Sequence, residues 1–175
     1  MTNGRSKLQA EAEAQRSVPG VRHEWETPFW DTLSPPTILI LDQVSVNRRL
    51  LRAMLKSESY RIIEAERAPD ALEILAREKV DLVVTDLMMP GMSGPEFCKT
   101  VKADRRTHWI PVLMMTNVHG VENEIAGIAS GADEFLTKPL HPEVVCARIR
   151  SMLRNKAAID SLEEAESILF ALAQS

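Results

Sequence analysis

Several features that mark common functional classes are scarce or missing in this chain of 175 residues. Its only two cysteines, Cys98 and Cys146, stand far apart and form no CxxC pair, so neither a disulfide framework nor a zinc site of that type is expected. No run approaches the roughly 18 apolar residues of a membrane-spanning helix, and the N-terminus has no apolar signal-peptide core. These absences favour a cytoplasmic protein with reduced thiols and no membrane association.

An excess of basic charge is also missing. The chain has 21 Lys and Arg against 25 Asp and Glu, a net charge of -4. Nucleic-acid-binding domains typically carry a basic excess, so nucleic acid is not expected as a partner. Neither GxGxxG nor a P-loop follows the first apolar run, where the sequence reads DQVSVNRR, and this disfavours a nucleotide-binding enzyme.

From Thr37 onward, short apolar runs alternate with amphipathic stretches. The runs are TILIL (37–41), RIIEA (61–65), DLVVTD (81–86), PVLMM (111–115) and EFLT (134–137). Helices are predicted over 45–56, 69–77, 95–103 and 121–130, and from Pro142 onward. This alternation predicts five βα units around a parallel sheet, and the almost wholly apolar runs indicate strands covered on both faces.

The segment before Thr37 has a different character. Residues 1–36 hold four of the ten prolines and show no sustained strand alternation, so they are interpreted as an arm or linker. Trp25 and Trp30 lie in this arm with Phe29 between them. These aromatics fit a docking patch and fit equally well a segment that folds back onto its own domain.

The last predicted helix has no internal stop signal. No Gly or Pro occurs between Glu143 and Ser175, and at about 1.5 Å per residue this stretch forms a helix nearly 50 Å long. An apolar stripe at steps of three or four runs along its second half through Ile159, Leu162, Ala165, Leu169 and Leu172. Packing on its own domain is the alternative, but a stripe of this length favours pairing with a second helix, so we predict a homodimer.

Polar residues follow the ends of the predicted strands. Asp42 with Gln43 ends the first, Asp86 the third and Thr116 the fourth, and Lys138 comes just after the fifth. Because ligands of open parallel sheets gather at the carboxyl ends of the strands, these side chains are expected to meet. An Asp or Thr at a strand end would, taken alone, more simply be a helix cap, whereas Lys138 is harder to explain in this way because it follows an apolar strand and precedes a proline. Together they suit a divalent cation and a phosphoryl group, since Mg²⁺ prefers oxygen ligands and usually takes one or two carboxylates.

Four segments carry a resemblance to a known family. ILILDQVSVNRRLL, DLVVTDLMMPGMSGPEFC, IPVLMMT and GADEFLTKPL resemble, in this order, the receiver domain of bacterial two-component response regulators. The resemblance implies an α/β fold, a doubly wound (βα)5 parallel sheet of the flavodoxin-like type. It divides the chain into an N-terminal arm (1–36), a receiver domain (37–153) and a C-terminal signalling or coiled-coil helix (154–175).

The same resemblance implies a role in phosphorelay signal transduction. Asp86 would accept a phosphoryl group from a sensor histidine kinase or a phosphotransfer protein, and Lys138 would pair with the phosphoryl oxygens. Thr116 would then move towards those oxygens while Phe135 turns inward, which is the switch. The chain itself would be a regulatory phosphoacceptor and not an enzyme. A phosphatase with an aspartate nucleophile is disfavoured, because it would need a second carboxylate where Met88 stands.

The resemblance also implies a Mg²⁺ ion held by Asp42, Asp86 and the backbone carbonyl of Met88. Here the sequence departs from the family, because Gln43 stands where a second acidic residue is usual. An amide oxygen can still coordinate the ion, but losing a charge about 4 Å away weakens binding by up to a few kcal/mol at an effective dielectric near 20. The alternative is a degenerate receiver that acts as a phosphorylation-independent protein-interaction module.

The final segment, IDSLEEAESILFALAQS, resembles the linker that leads to HD-GYP cyclic-di-GMP phosphodiesterase output domains. Linkers before diguanylate cyclase domains are similar. We therefore expect a downstream output domain as a further partner, with any catalysis lying outside this chain.

Overall fold

The structure is a computed structural model and describes residues 34–117, 125 and 127–174. The aromatic residues of the predicted arm, Trp25, Phe29 and Trp30, lie outside the described residues. So does the start of the helix predicted over 121–130. The predicted domain boundaries stay predictions.

Five parallel strands form one sheet in the order β2-β1-β3-β4-β5. They are β1 (Thr37–Leu41), β2 (Arg61–Ala65), β3 (Leu82–Asp86), β4 (Val112–Thr116) and β5 (Glu134–Thr137). Because β1 pairs with β2 on one side and with β3 on the other, the chain changes direction across the sheet at β1. The doubly wound parallel sheet predicted from the sequence is confirmed, with β3 starting one residue later and β4 shifted by one residue.

Helices connect the strands and cover the sheet. The described helices are α1 (Ser45–Met54), α2 (Ala68–Arg77), α3 (Gly94–Ala103) and α4 (Pro142–Ala173), and residues 125 and 127–129 are helical between β4 and β5. The N-terminus of α3 is fixed by a capping box, in which Ser93 and Glu96 satisfy each other's backbone N–H groups. This cap sets where the chain turns after β3.

The core lies on both faces of the sheet. Every residue of β1 and β4 is buried, as expected of strands covered by helices. Phe97 and Cys98 of α3 pack on one side, and Val145, Cys146 and Ile149 of α4 are buried too. Both cysteines are free, and burial raises the pKa of both thiols, so neither is primed to react.

Helix α4 is continuous over 32 residues, as predicted, and its two halves differ in burial. Val145, Ile149 and Met152 are buried, whereas every residue of 161–174 is exposed. The second half therefore extends beyond its own domain. In the part of the chain that the structure describes, no helix is both long and apolar enough to cross a bilayer.

Candidate functional site

Three of the predicted site residues meet at the carboxyl edge of the sheet. The Nζ atom of Lys138 lies 2.6 Å from Oδ2 of Asp86 and 4.0 Å from Oδ2 of Asp42. Only 14% of the Lys138 side chain, 14% of that of Asp86 and 2% of that of Asp42 is exposed. The single ammonium group thus faces two carboxylates in a poorly hydrated place, where charges interact more strongly than in water.

The neighbouring strand β4 holds Lys138 in place. The backbone N–H of Lys138 donates to the carbonyl oxygen of Thr116 at 2.8 Å. The peptide bond between Lys138 and Pro139 is cis. Thr116 is completely buried at the end of β4. The fourth predicted residue therefore lies at the same edge, and its backbone sets the position of the lysine.

The carboxylate of Asp86 has different partners for its two oxygens. Oδ2 accepts from Lys138, and Oδ1 accepts from the backbone N–H of Met88 at 3.1 Å. The Met88 side chain is 63% exposed and points no polar group at the site. Asp86 is thus oriented from both sides while part of it stays accessible from solvent.

Asp42 is not the N-cap of α1, which is Val44, but its carboxylate holds the turn before that helix. Its Oδ1 accepts from the N–H of Val44 at 2.7 Å and its Oδ2 from Nδ2 of Asn47 at 2.9 Å, so the carboxylate closes the turn that leads into α1. It also faces Lys138. Because a carboxylate has about four acceptor sites, these two hydrogen bonds leave capacity for a metal ion.

Sequence reasoning missed Arg48, which lies directly behind Asp42. Its Nη1 donates to the Asp42 carbonyl oxygen at 2.7 Å, and its guanidinium pairs with Glu64 at 3.1 Å and Glu66 at 2.7 Å. Burial acts to raise the pKa of Glu64, but hydrogen bonds from Arg52 and Arg48 outweigh it and hold that pKa below its usual value. The signal in the sequence was a cation three residues before Leu51, on the buried face of α1.

Of the remaining predicted residues, Gln43 lies next to Asp42 in the chain, Phe135 lies on β5, and the predicted interface residues lie on α4. Gln43 is exposed beside Asp42. Phe135 is half-buried on β5 and packs against the core, with its ring against Gly127. Ile159, Leu162, Leu169 and Leu172 lie on α4, and the last three are about two-thirds exposed, at 67%, 66% and 66%.

The donor set of the site suits a hard divalent cation. Within the described residues no cluster of three or more His, Cys, Asp or Glu side chains is arranged to hold a metal. Asp42 and Asp86 nevertheless offer two carboxylates on either side of one ammonium. This number is within the one or two carboxylates that Mg²⁺ usually takes, and the ion completes its shell with water and phosphate oxygens.

The loop after Asp86 folds back tightly onto the strand. The N–H of Gly94 donates to the carbonyl oxygen of Leu87 at 2.9 Å. A Cβ atom at position 94 would lie 2.4 Å from the backbone oxygen of Asp86 and 3.0 Å from Cα of Leu87. Only glycine allows this approach, so Gly94 is part of what positions Asp86.

Comparison with known proteins places this arrangement in a family. Residues 38–150 match the response regulator receiver domain. The chain belongs to this family. The receiver resembles response regulator PleD of Caulobacter vibrioides, with 42% identity over 130 residues, which cover 74% of this chain and 29% of PleD. It resembles the phosphate regulon regulator PhoB of Pseudomonas aeruginosa at 36% identity, which covers 71% of this chain and 55% of PhoB.

Solved receiver structures have the same fold. A CheY-like receiver domain protein of Methanospirillum hungatei is 25% identical with a TM-score of 0.66, over 71% of this chain and 98% of that one. Chemotaxis protein CheY4 of Vibrio cholerae is 27% identical with a TM-score of 0.64, over 68% and 99%. The predicted family and the flavodoxin-like receiver fold are confirmed.

Membership in the family establishes the general role of the chain. It is a receiver domain of the two-component response regulators, a family whose receiver domains are regulatory phosphoacceptors in phosphorelay signalling. Receiver domains generally bind Mg²⁺ for phosphorylation and interact with histidine kinases or phosphotransfer proteins. The chain spans only 29% of PleD and 55% of PhoB.

Proposed function

We propose that Asp86 is the residue that accepts the phosphoryl group. The observation that supports it is the 2.6 Å contact between Lys138 Nζ and Asp86 Oδ2, with Asp42 on the other side of the same ammonium. In the transfer, an Asp86 oxygen attacks the phosphorus of a phosphohistidine. The new O–P bond forms as the N–P bond breaks, and the imidazole leaves and takes up a proton.

This transfer depends mainly on charge, because an anionic carboxylate must approach an anionic phosphoryl group. Lys138 neutralises part of that charge from a fixed position, and the N–H of Met88 orients the second oxygen of Asp86. Asp42, Asp86 and the backbone carbonyl of Met88 would hold Mg²⁺, with the Gln43 amide oxygen as a weaker ligand. The ion supplies further charge neutralisation when bound.

The switch that follows involves Thr116 and Phe135. Phosphorylation gives Asp86 new acceptor oxygens, and the Thr116 hydroxyl lies on the adjacent strand β4, where Asp86 pairs with Met115 in the sheet. Phe135 lies one strand further, on β5, with its ring against Gly127. We propose that movement of Thr116 towards the phosphoryl group frees space into which Phe135 turns, and that this exchange is the signal.

The test is incubation of the full chain with acetyl phosphate and Mg²⁺, followed by intact-mass measurement. The wild-type chain is expected to gain one phosphoryl group and Asp86→Asn none, because an amide is not a nucleophile towards phosphorus. Asp81→Asn is the matched control, since Asp81 precedes the same strand at the opposite edge, where it accepts from the Thr37 N–H. Phosphorylation that persists in Asp86→Asn would assign the acceptor to another residue.

A degenerate receiver is the second candidate, and the identity of residue 43 favours it. Gln43 brings no charge to a pocket in which the described residues supply two carboxylates, so Mg²⁺ is expected to bind weakly. In that case the chain would act as a protein-interaction module without phosphorylation. Absence of a mass gain in the wild-type chain at high Mg²⁺ would support this candidate.

Gln43→Asp is expected to raise the affinity for Mg²⁺ by about tenfold or more. A unit charge 4 Å from the ion contributes up to about 4 kcal/mol at an effective dielectric of 20, and repulsion from the existing carboxylates offsets part of it. Isothermal titration calorimetry measures the change. Ser45→Asp is the control, because it adds the same charge at the exposed start of α1. Equal affinities for Gln43→Asp and the wild type would place residue 43 outside the metal pocket.

We further propose that the exposed half of α4 pairs two copies of the chain. Leu162, Leu169 and Leu172 are each about two-thirds exposed, and Ile159 continues their stripe towards the domain. A downstream output domain would receive the signal through this helix. The chain itself is proposed to carry no enzymatic activity, and its partners are expected to be proteins and not nucleic acid or membranes.

A further inference from the structure

The two halves of α4 carry opposite charge. Apart from Glu143 in the first turn, the proximal half has four cations and no anion over residues 144–159, namely Arg148, Arg150, Arg154 and Lys156. The distal half has four anions and no cation over residues 160–174, namely Asp160, Glu163, Glu164 and Glu166. In a parallel helix pair, halves of the same charge lie side by side and repel. In an antiparallel pair, the basic half of one helix lies beside the acidic half of the other, and the two attract.

A cleft lies beside the proximal half of the helix. It has a volume of about 580 Å³ and is lined on one side by Trp109 and on the other by Arg148, Ser151, Asn155 and Ile159 of α4. Trp109 is 47% exposed although it is a large aromatic residue. Arg148 pairs with Glu134 at 3.1 Å but keeps 54% of its side chain exposed. The cleft thus offers an apolar wall and an accessible cation.

The lining face of α4 continues without a break into the distal half. Arg148, Ser151, Asn155 and Ile159 follow one another at steps of three or four, and Leu162, Glu166 and Leu169 extend the same series. Such spacing places all of them on one side of a helix. The apolar part of this face is exposed beyond the domain, and its basic part lines the cleft.

We propose that two copies of the chain pair through antiparallel α4 helices, with the acidic distal half of one copy seated in the Trp109 cleft of the other. A two-fold axis at Ala157 places Arg148 opposite Glu166 of the second copy, and it places Asn155 opposite Ile159. It also brings Leu162 of the second copy opposite Met152, which lines the cleft. The contact is isologous and closes on itself. This inference rests on the proposed homodimer and adds its orientation and its docking surface.

Charge reversals in the full chain test the pairing. Arg148→Glu and Glu166→Arg are each expected to raise the dimer dissociation constant by about tenfold or more, because each places like charges opposite one another at two symmetric positions. The double variant restores opposite charges and is expected to return to within about threefold of the wild type. Sedimentation at several concentrations measures the constants. Arg148 and Glu166 lie about 27 Å apart along one helix, so the rescue cannot arise within a chain.

Glu164→Arg is the matched control, because it makes the same change of charge two residues away, on another side of the helix. It is expected to leave the dissociation constant unchanged. Single reversals without effect, a double variant that is not rescued, or a Glu164→Arg variant as weak as Glu166→Arg would each overturn the proposed register.

The orientation is measured directly with a spin label at Ala171→Cys. Cys98 and Cys146 are buried, so the new thiol is the accessible target. Ala171 lies 14 positions beyond Ala157, so an antiparallel pair separates the two labels by about 40 Å and a parallel pair holds them within about 20 Å. A short distance would overturn the antiparallel arrangement and keep the dimer. A monomer at all concentrations would overturn both, and the phosphoacceptor proposal would stand unaffected.

Discussion

Lys138→Met is expected to slow phosphorylation of the chain by about 100-fold or more. The methionine keeps the length of the side chain but removes the ammonium, which lies 2.6 Å from Asp86 and 4.0 Å from Asp42. The two carboxylates then face the incoming phosphoryl group with no fixed positive charge between them. Removing one preorganised electrostatic contact from a site of this kind typically costs 10²–10³ in rate. A time course of intact mass with acetyl phosphate and Mg²⁺ measures the effect.

The chain offers a matched control at the opposite edge of the sheet. Lys102 pairs with Asp133 at 2.8 Å and donates to the Ile110 carbonyl oxygen at 2.8 Å, so it is held as firmly as Lys138. Lys102→Met therefore loses a similar set of contacts far from Asp86, and its phosphorylation rate is expected to match the wild type. If Lys138→Met reacts within about threefold of Lys102→Met, Lys138 does not stabilise the transfer.

Gly94→Ala is expected to lower the free energy of unfolding by about 3 kcal/mol and to slow phosphorylation as well. Its Cβ atom would lie 2.4 Å from the backbone oxygen of Asp86 and 3.0 Å from Cα of Leu87. Both are backbone atoms, which cannot rotate away as a side chain can. Overpacking at such a place costs about 1–3 kcal/mol or more, and any relief must move the strand end that carries Asp86. Urea denaturation followed by circular dichroism gives the free energy.

Gly91→Ala separates this clash from the general effect of replacing a loop glycine. Gly91 has a φ of +83°, and a Cβ atom there would meet nothing within 4 Å. The only expected cost is that of the left-handed backbone, about 1–2 kcal/mol, with phosphorylation unchanged. A loss of stability in Gly94→Ala no larger than in Gly91→Ala would show that the contact with Asp86 is not constraining.

The sequence was sufficient to predict the strands and the acidic edge, by which we mean the carboxyl edge of the sheet with Asp42 and Asp86. The physical reason is different in the two cases. TILIL (37–41), RIIEA (61–65) and EFLT (134–137) match β1, β2 and β5 residue for residue, because burial of an open parallel sheet leaves a clear apolar signal. Asp42, Asp86 and Lys138 could be placed together because parallel strands bring their carboxyl ends to one edge. The predicted helix ends differ by one or two residues, since helix termini depend on local caps.

Other parts of the site depend on partners that the sequence does not reveal. Arg48 binds Glu64 and Glu66, which become its neighbours only once β2 has paired with β1. The Trp109 cleft combines α4 with residues of α3, of β5 and of the segments 108–111 and 131–133. No local pattern marks such sets, because their members are distant in the chain. Asp42 likewise contacts both the turn before α1 and Lys138, and this combination arises only in the folded chain.

Helix α4 begins four residues after Lys138, so a movement of Lys138 can be passed directly to the start of the helix. Its buried first turns act as a fulcrum, and the exposed remainder is a lever arm. From Arg154, just after the last buried residue, to Ala173 the arm is about 29 Å long. A tilt of about 5° at the fulcrum would displace its tip by about 2.5 Å. That displacement is more than half of the about 4.0–4.5 Å within which side chains are in contact. A small rearrangement at the acidic edge would thereby be enlarged at a distant surface.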